Sequence, residues 1–184
     1  MANIVLNVLD KRLAQIPLDV VFVRYADDFV VLCRSNDDAE QALVYLSEVI
    51  SDELELSLAP EKTCITDFRK GFDFLGFHIT SHGVTIRDKS MDNFKDNIRK
   101  ITRRSYNFNG EIISKVNRVS KGFANYFDTP FSTVKAQSSK LDHWIRMRMR
   151  CMKFKRITVK DNFRFRNSTF QKIGLFAMAG YILK

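Results

Sequence analysis

The fold is decided by residues 20–33, which read Val-Val-Phe-Val-Arg-Tyr-Ala-Asp-Asp-Phe-Val-Val-Leu-Cys. Two runs rich in β-branched and aromatic residues flank a polar break at Ala26, Asp27 and Asp28. Short runs of this kind that meet at a tight turn are typical of a β-hairpin. The predicted hairpin therefore carries two adjacent carboxylates at its tip.

The carboxylates of Asp27 and Asp28 allow two interpretations. Like charges this close repel each other in a poorly solvated site and favour protonation, whereas a hard divalent cation such as Mg²⁺ keeps its carboxylate ligands ionised. The alternative is an Asp-Asp turn that faces solvent, because Asp is a favoured turn residue. Taken alone, the pair favours the solvent-facing turn.

The sequence context resembles the palm hairpin of reverse transcriptases, in the form found in group II intron-encoded proteins. Tyr-Ala-Asp-Asp lies between two apolar strands, and four further segments match that family in order. They are Ala-Asn-Ile-Val-Leu-Asn-Val-Leu-Asp at residues 2–10, Ser-Leu-Ala-Pro-Glu-Lys-Thr at 57–63, Phe-Leu-Gly-Phe at 74–77 and Gly-Phe-Ala-Asn-Tyr-Phe at 122–127. Five motifs in the family order are more specific than one, and the resemblance covers residues 2–183, the later palm and the maturase (thumb) domain.

The resemblance implies roles for particular residues. Asp27 and Asp28 are implied as catalytic residues and as ligands of two Mg²⁺ ions. Lys62 matches a lysine that neutralises the leaving pyrophosphate, with an ordinary surface lysine as the alternative. Contacts with the primer and the incoming nucleotide are implied for Tyr25, Ala26, Phe74, Leu75, Gly76 and Phe77.

The family pattern also contains parts that precede this sequence. Another aspartate, on an earlier strand, completes the family's metal site, and the fingers come before it. We therefore expect residues 1–184 alone to polymerise little or not at all, and a complementing N-terminal fragment is an expected partner. The other implied partners are intron RNA, an RNA template, a DNA primer and dNTPs. A non-catalytic RNA-binding splicing factor, or a degenerate relic, stays open as the alternative function.

Charge is unevenly distributed along the chain. Residues 1–90 hold 9 Lys/Arg and 15 Asp/Glu, a net charge of −6, and residues 91–184 hold 21 and 6, a net charge of +15. A carboxylate-bearing catalytic half followed by a half that binds a polyanion would show this asymmetry. Nucleic acid is the expected partner of the basic half.

Membrane and secretory functions are not indicated. No apolar run approaches the length of a membrane span, and charges from Asp10 to Arg12 interrupt the N-terminus too early for a signal peptide. The three cysteines have no metal-ligand spacing. We expect a reducing intracellular location, cytoplasmic or organellar.

Apolar spacing predicts an α+β fold with two domains. The family resemblance implies that residues 1–88 form a partial polymerase palm and residues 89–184 a helical maturase or thumb bundle. In the first domain, helices are predicted over 2–14 and 37–53, the second with Asn36 as its N-cap. Strands are predicted over 54–58, 64–68 and 71–80, and again after a turn at 81–83.

The basic half is predicted to be helical over residues 91–105, 110–127 and 131–154. In the last of these, residues 145–150 also alternate apolar and basic side chains, which is a strand pattern, and a helix would place Arg148 on the apolar side. Residues 153–170 interleave cations with phenylalanines, as in proteins that bind single-stranded or irregular RNA. A basic loop whose phenylalanines belong to the core is the alternative. The predicted RNA-binding residues are Arg103, Arg104, Lys115, Arg118, Lys121, Arg146, Arg150, Lys153, Arg164 and Arg166.

Overall fold

The computed structural model describes residues 2–182, with side chains described from Ile4 onward. The chain divides into two compact units, residues 1–75 and 76–184. Helices and two small antiparallel sheets are both present, which confirms the predicted α+β class. Met1 and Lys184, the outer limits of the two predicted domains, lie outside the described residues.

The first unit places short helices around one hairpin. The predicted N-terminal helix is divided into α1 (Ala2–Val5) and α2 (Asn7–Leu13) and ends before Pro17. The second predicted helix ends in a π-helical stretch, Val49–Glu53. In chain order the other elements are β1 (Val21–Tyr25), β2 (Asp28–Leu32), α3 (Asn36–Glu48) and β3 (Phe72–Phe74).

Helix α3 begins one residue earlier than its sequence suggested. The cap is Ser35, whose hydroxyl accepts a hydrogen bond from the Asp38 amide at 3.1 Å. The Asp38 carboxylate accepts one in return from the Ser35 amide at 3.2 Å. This reciprocal pair gives hydrogen-bond acceptors to two backbone amides, those of Ser35 and Asp38. Ser35, rather than Asn36, is therefore the N-cap.

The core of the first unit lies between the helices and one face of the hairpin. Its buried residues are Leu9, Leu13, Leu46, Val49 and Ile50. Phe22, Phe29 and Val31 of the hairpin pack against them. The hairpin is therefore held from one side by α2 and by the end of the α3 region.

Two of the predicted strands are wrong. Residues 54–58 and 64–68 form no strand, and Leu56 and Ile65 are exposed. Turn hydrogen bonds organise this stretch instead: the Ala59 carbonyl accepts from the Lys62 and Thr63 amides, and the Asp67 carboxylate accepts from the Arg69 and Lys70 amides. Alternation predicts a strand only where a neighbouring strand is available, and local side-chain hydrogen bonds compete with that pairing.

The second unit is a hairpin followed by helices. Strands β4 (Phe77–Thr80) and β5 (Gly83–Ile86) pair antiparallel around the predicted turn. The helices are α4 (Asp88–Ile101), α5 (Gly110–Phe127), α6 (Lys135–Phe154), α7 (Asp161–Arg164), α8 (Asn167–Lys172) and α9 (Met178–Tyr181). In the part of the chain that the structure describes, no helix is both long and apolar enough to cross a membrane.

The core of the second unit joins α4, α5 and α6 to the C-terminal helices. Its fully buried members include Ile98, Val116, Ile145, Met149 and Phe170. Burying an aliphatic or aromatic side chain of this size contributes about 1.5–3 kcal/mol. The apolar faces that the sequence predicted for the three long helices therefore meet in one core.

Arg148 lies on α6, so the helical alternative for residues 145–150 is the correct one. Its guanidinium donates to the Thr102 carbonyl at 2.9 Å and to the Thr102 hydroxyl at 3.3 Å. Thr102 ends α4 and is fully buried. Arg148, on the apolar side of α6, thus donates hydrogen bonds to the C-terminal end of α4, where a positive charge is favourable.

Candidate active site

The hairpin tip gathers four of the residues predicted for the site. Tyr25 and Asp28 are the last pair of the β1–β2 ladder, so Ala26 and Asp27 form a two-residue turn. Ala26 has φ +53°, in the left-handed region that such turns require. Tyr25, Ala26, Asp27 and Asp28 are all exposed, so both carboxylates are accessible at the tip.

Arg24 connects this turn to helix α2. Its Nε and Nη2 donate to the two carboxylate oxygens of Asp10, at 2.8 and 2.5 Å, and its Nη1 donates to the Ala26 carbonyl at 2.9 Å. The planar guanidinium holds a carboxylate in fixed geometry through such paired bonds. One side chain therefore restrains the backbone of the turn that bears Asp27.

Sequence reasoning overlooked Arg24 and Asp10. The two-residue period of a strand could have indicated Arg24, because it places Arg24 on the same inward side of β1 as Phe22. A cation on the inward side of a strand needs a buried or half-buried anion as its partner. Together with Asn7, Tyr25 and Ala26, these two residues line an open polar cleft beside the turn.

The Arg24–Asp10 contact changes the proton affinity of both groups. The hydrogen bonds from Arg24 have the largest influence on the Asp10 carboxyl, and they hold its pKa below its ordinary value. Asp10 in turn raises the pKa of Arg24. A carboxyl whose pKa is lowered by folding stabilises the fold above its unfolded pKa, and this contribution is lost as pH falls through the folded pKa. The contact should therefore weaken only in acid.

We expect the Asp10 carboxyl, followed by NMR, to titrate below the ordinary aspartate value of about 3.9. Arg24→Gln should return the pKa of Asp10 towards that value and reduce the loss of stability in acid. The stability effect should be small, because more than a third of the Asp10 side chain is exposed and solvent screens ion pairs. Arg34→Gln is the matched control, since the Arg34–Asp19 pair lies at the far end of the hairpin. An unchanged Asp10 titration in Arg24→Gln would contradict the contact.

The predicted primer-grip residues lie at the boundary of the two units. Phe74 ends β3 in the first unit, and Leu75 follows with φ +48°. Gly76 opens the second unit with φ +80°, and a Cβ there would approach the Ser90 hydroxyl to 3.2 Å. Its carbonyl accepts hydrogen bonds from the Arg87 amide and the Ser90 hydroxyl. Glycine is thus favoured at residue 76 both by the backbone conformation and by the close neighbour.

Phe77 belongs to an aromatic cluster in the second unit. Its ring lies 4.9 Å from that of Phe127, 6.0 Å from that of Tyr126 and 6.4 Å from that of Phe131. Tyr126 and Phe131 are largely exposed. The cluster attaches the predicted primer-grip strand to the end of α5. Lys62, the other residue predicted for catalysis, is exposed on a turn of the first unit.

Most of the predicted RNA-binding cations lie on the surface of the second unit. Lys115 forms an ion pair with Glu111 at 2.7 Å, and the Lys121 ammonium lies 5.7 Å from the centre of the Phe176 ring. Arg146 is half-buried. The exposed members of the set are Arg103, Arg104, Lys115, Arg118, Lys121, Lys153, Arg164 and Arg166.

Arg150 is a correction to that set. Arg150 is only 6% exposed. Its guanidinium donates hydrogen bonds to the Phe165 carbonyl at 2.8 Å and to Asn167 Oδ1 at 2.9 Å. The guanidinium also lies 5.0 Å from the centre of the Phe170 ring. Arg150 therefore joins α6 to the segment that follows it, and a buried cation engaged in this way is not available to a phosphate.

Comparison with protein families identifies both units. Residues 1–79 match the family described as reverse transcriptase (RNA-dependent DNA polymerase), and residues 91–170 match the group II intron, maturase-specific domain. The chain belongs to the group II intron reverse transcriptase/maturase family. A comparison with curated proteins finds no match.

Membership assigns the chain a family function, group II intron reverse transcriptase and maturase. Reverse transcriptases generally use divalent metal ions, and the two domains interact in general with RNA and with nucleotides or DNA. The donor set at the hairpin tip fits this chemistry, because carboxylate oxygens are the ligands that Mg²⁺ prefers. Among the described residues, no group of three or more His, Cys, Asp or Glu side chains is placed to hold a metal ion.

Proposed function

We propose that residues 1–88 form part of a polymerase palm and residues 89–184 an RNA-binding maturase or thumb domain, which act together in RNA-directed DNA synthesis and in splicing of a group II intron. The observation that carries the catalytic part is the hairpin tip, where the exposed carboxylates of Asp27 and Asp28 adjoin a turn restrained by Arg24. The substrates are an RNA template, a DNA primer and dNTPs.

In this proposal the hairpin carries the metal ligands. Asp27 and Asp28 would hold two Mg²⁺ ions, because carboxylate oxygens are the ligands that this ion prefers. When bound, the ions activate the primer 3′-hydroxyl and stabilise the charge on the leaving pyrophosphate. The side chains of Asp27 and Asp28 supply negative charge in a fixed position, because the Arg24 contacts limit movement of the turn.

The remaining site residues position the substrates. Tyr25 and Ala26 adjoin the primer end and the incoming nucleotide, and Lys62 neutralises the leaving pyrophosphate. The primer grip is formed by Phe74, Leu75, Gly76 and Phe77. The match of residues 1–79 to the reverse transcriptase family supports this role.

The second domain contributes RNA affinity. Eight exposed cations of the predicted set surround its helical core, and residues 91–184 carry a net charge of +15. Such a surface binds the phosphate backbone and steers its approach. Intron RNA is the proposed ligand of this surface during splicing, and the template RNA during synthesis.

A non-catalytic RNA-binding splicing factor is the second candidate. It is supported by the basic surface of the second unit, which needs no contribution from the Asp27–Asp28 pair. The two candidates differ in one respect, namely whether the hairpin takes part in chemistry.

Primer extension on an RNA template tests the proposal. Residues 1–184 alone should extend no primer, because two adjacent aspartates offer Mg²⁺ too few ligands and this ion gives up its water reluctantly. Addition of an N-terminal fragment with the fingers and the remaining palm aspartate should produce extension. Intron-splicing assays on the same samples report the maturase role. Strong extension by residues 1–184 alone would contradict the proposed division of the site, and splicing without any extension in the complemented sample would favour the second candidate.

A further inference from the structure

The 155–166 segment, which follows α6, is firmly held by polar contacts. Lys155 ends α6 with φ +57°, and its ammonium donates to the carbonyls of Arg104 and Tyr106. Arg156 forms an ion pair with Asp161 at 3.0 Å, and the Asp161 side chain is almost fully buried. Arg150 donates to the Phe165 carbonyl. The segment therefore has a defined conformation before any ligand binds.

Its apolar side chains divide into two groups. Phe165 is 8% exposed and packs edge-to-face against Phe170, with ring centres 4.7 Å apart. Phe163, two residues earlier, is 75% exposed, and Ile157 and Val159 are 65% and 74% exposed. Successive turn hydrogen bonds link residues 158–163, from the amides of Asp161, Asn162 and Phe163 to carbonyls three residues earlier. The fold thus keeps one aromatic ring in the core and presents another to solvent.

The charges around the exposed ring indicate what covers it. Lys155, Arg156, Lys160, Arg164 and Arg166 are all exposed, and the one acid of the segment, Asp161, is buried beside Arg156 at 3.0 Å and Arg164 at 4.0 Å. Five cations against one acid leave the segment with a net positive charge, which favours a polyanionic ligand over an ordinary protein partner. A planar ring among cations matches an unpaired nucleotide, whose base offers a flat face beside its phosphate.

We propose that the 155–166 segment binds unpaired RNA, with a base stacked on Phe163 and the flanking phosphates bound by Arg164 and Lys160. This inference rests on the proposed RNA-binding function of the second domain and adds a preference for single-stranded over fully paired RNA. The double helix offers its phosphates to the basic surface but no free base face to Phe163. The segment therefore acts as the part of the surface that distinguishes unpaired from paired regions.

The test compares the binding of the full chain to an unstructured RNA oligonucleotide and to a blunt RNA duplex of the same length, by fluorescence anisotropy. Phe163→Ala should weaken binding to the single strand roughly 10- to 100-fold and leave duplex binding within about twofold. Phe163→Trp should keep single-strand binding and add quenching of indole fluorescence beyond that of the wild-type chain. Phe68→Ala is the matched control, because Phe68 is 46% exposed and lies in the first unit, outside the proposed RNA-binding domain.

The outcomes separate this inference from the proposed function. If the wild-type chain binds neither RNA, the proposed RNA-binding function fails. If it binds both, and Phe163→Ala binds both as well as the wild type does, the stacking inference alone fails. If Phe163→Ala weakens binding to the single strand and to the duplex equally, the stacking inference is also overturned, since stacking needs a free base. Phe163-dependent binding to vesicles of anionic lipid with unchanged RNA binding would assign the segment to a membrane surface and overturn it likewise.

Discussion

Primer extension by the complemented protein should fall roughly 1,000-fold or more when Asp27 is replaced by asparagine, because a metal ligand loses its charge at the reacting centre. The substitution keeps the size of the side chain, and Asp27 is exposed in a turn whose special conformation lies at Ala26. The fold should therefore be preserved, with an unchanged circular dichroism spectrum. The loss should appear in kcat, measured with saturating primer, template and dNTP.

The matched control for this result is Asp19→Asn. Asp19 is also exposed, and it pairs with Arg34 at the opposite end of the hairpin. Its substitution removes the same charge from the same unit and should leave extension unchanged. Full activity of Asp27→Asn in the complemented protein would show that this hairpin is not the metal site.

The second large effect concerns salt. Binding of the chain to structured RNA should weaken roughly 1,000-fold or more between about 50 and 200 mM salt, provided that six or more phosphates are contacted. The +15 net charge of residues 91–184 motivates this expectation. Each neutralised phosphate releases counterions, so affinity falls linearly with salt concentration on a double-logarithmic plot.

A triple variant identifies which cations carry this effect. Lys115→Gln, Arg118→Gln and Lys121→Gln together should reduce the salt slope by about 2 to 3, since each removed phosphate contact lowers it by about 0.7–0.9. All three residues are exposed on α5. The control triple Lys11→Gln, Arg69→Gln and Lys70→Gln removes as many charges from the acidic first unit. A flat salt response of the wild-type chain, or equal slopes for the two triples, would contradict the assignment.

The hairpin and the long helices could be read from the sequence because their signals are local. Two β-branched runs around Ala26, Asp27 and Asp28 can pair only with each other through a two-residue turn. The apolar faces of α4, α5 and α6 recur with the period of a helix, and they meet in one core with the C-terminal helices. The family motifs add order along the chain, and the matched domains confirm the family.

The failures came where a non-local partner decides the structure. Residues 54–58 alternate as a strand does, but they pair with no strand in the part of the chain that the structure describes. Arg150 carries the same charge as Arg118, and only packing shows that one donates to the Phe165 carbonyl while the other is exposed. A charge pattern gives the number of cations but not the burial of each.

The family, the fold class and the adjacent carboxylates follow from residue type and spacing along the chain. Which residues support them follows only from the tertiary structure. It brought Asp10 from α2 to Arg24 on β1 and so restrained the turn at Ala26. It also buried Phe165 and exposed Phe163. Hydrogen bonds and burial depend on the three-dimensional neighbours of a side chain, and these neighbours lie far apart in the sequence.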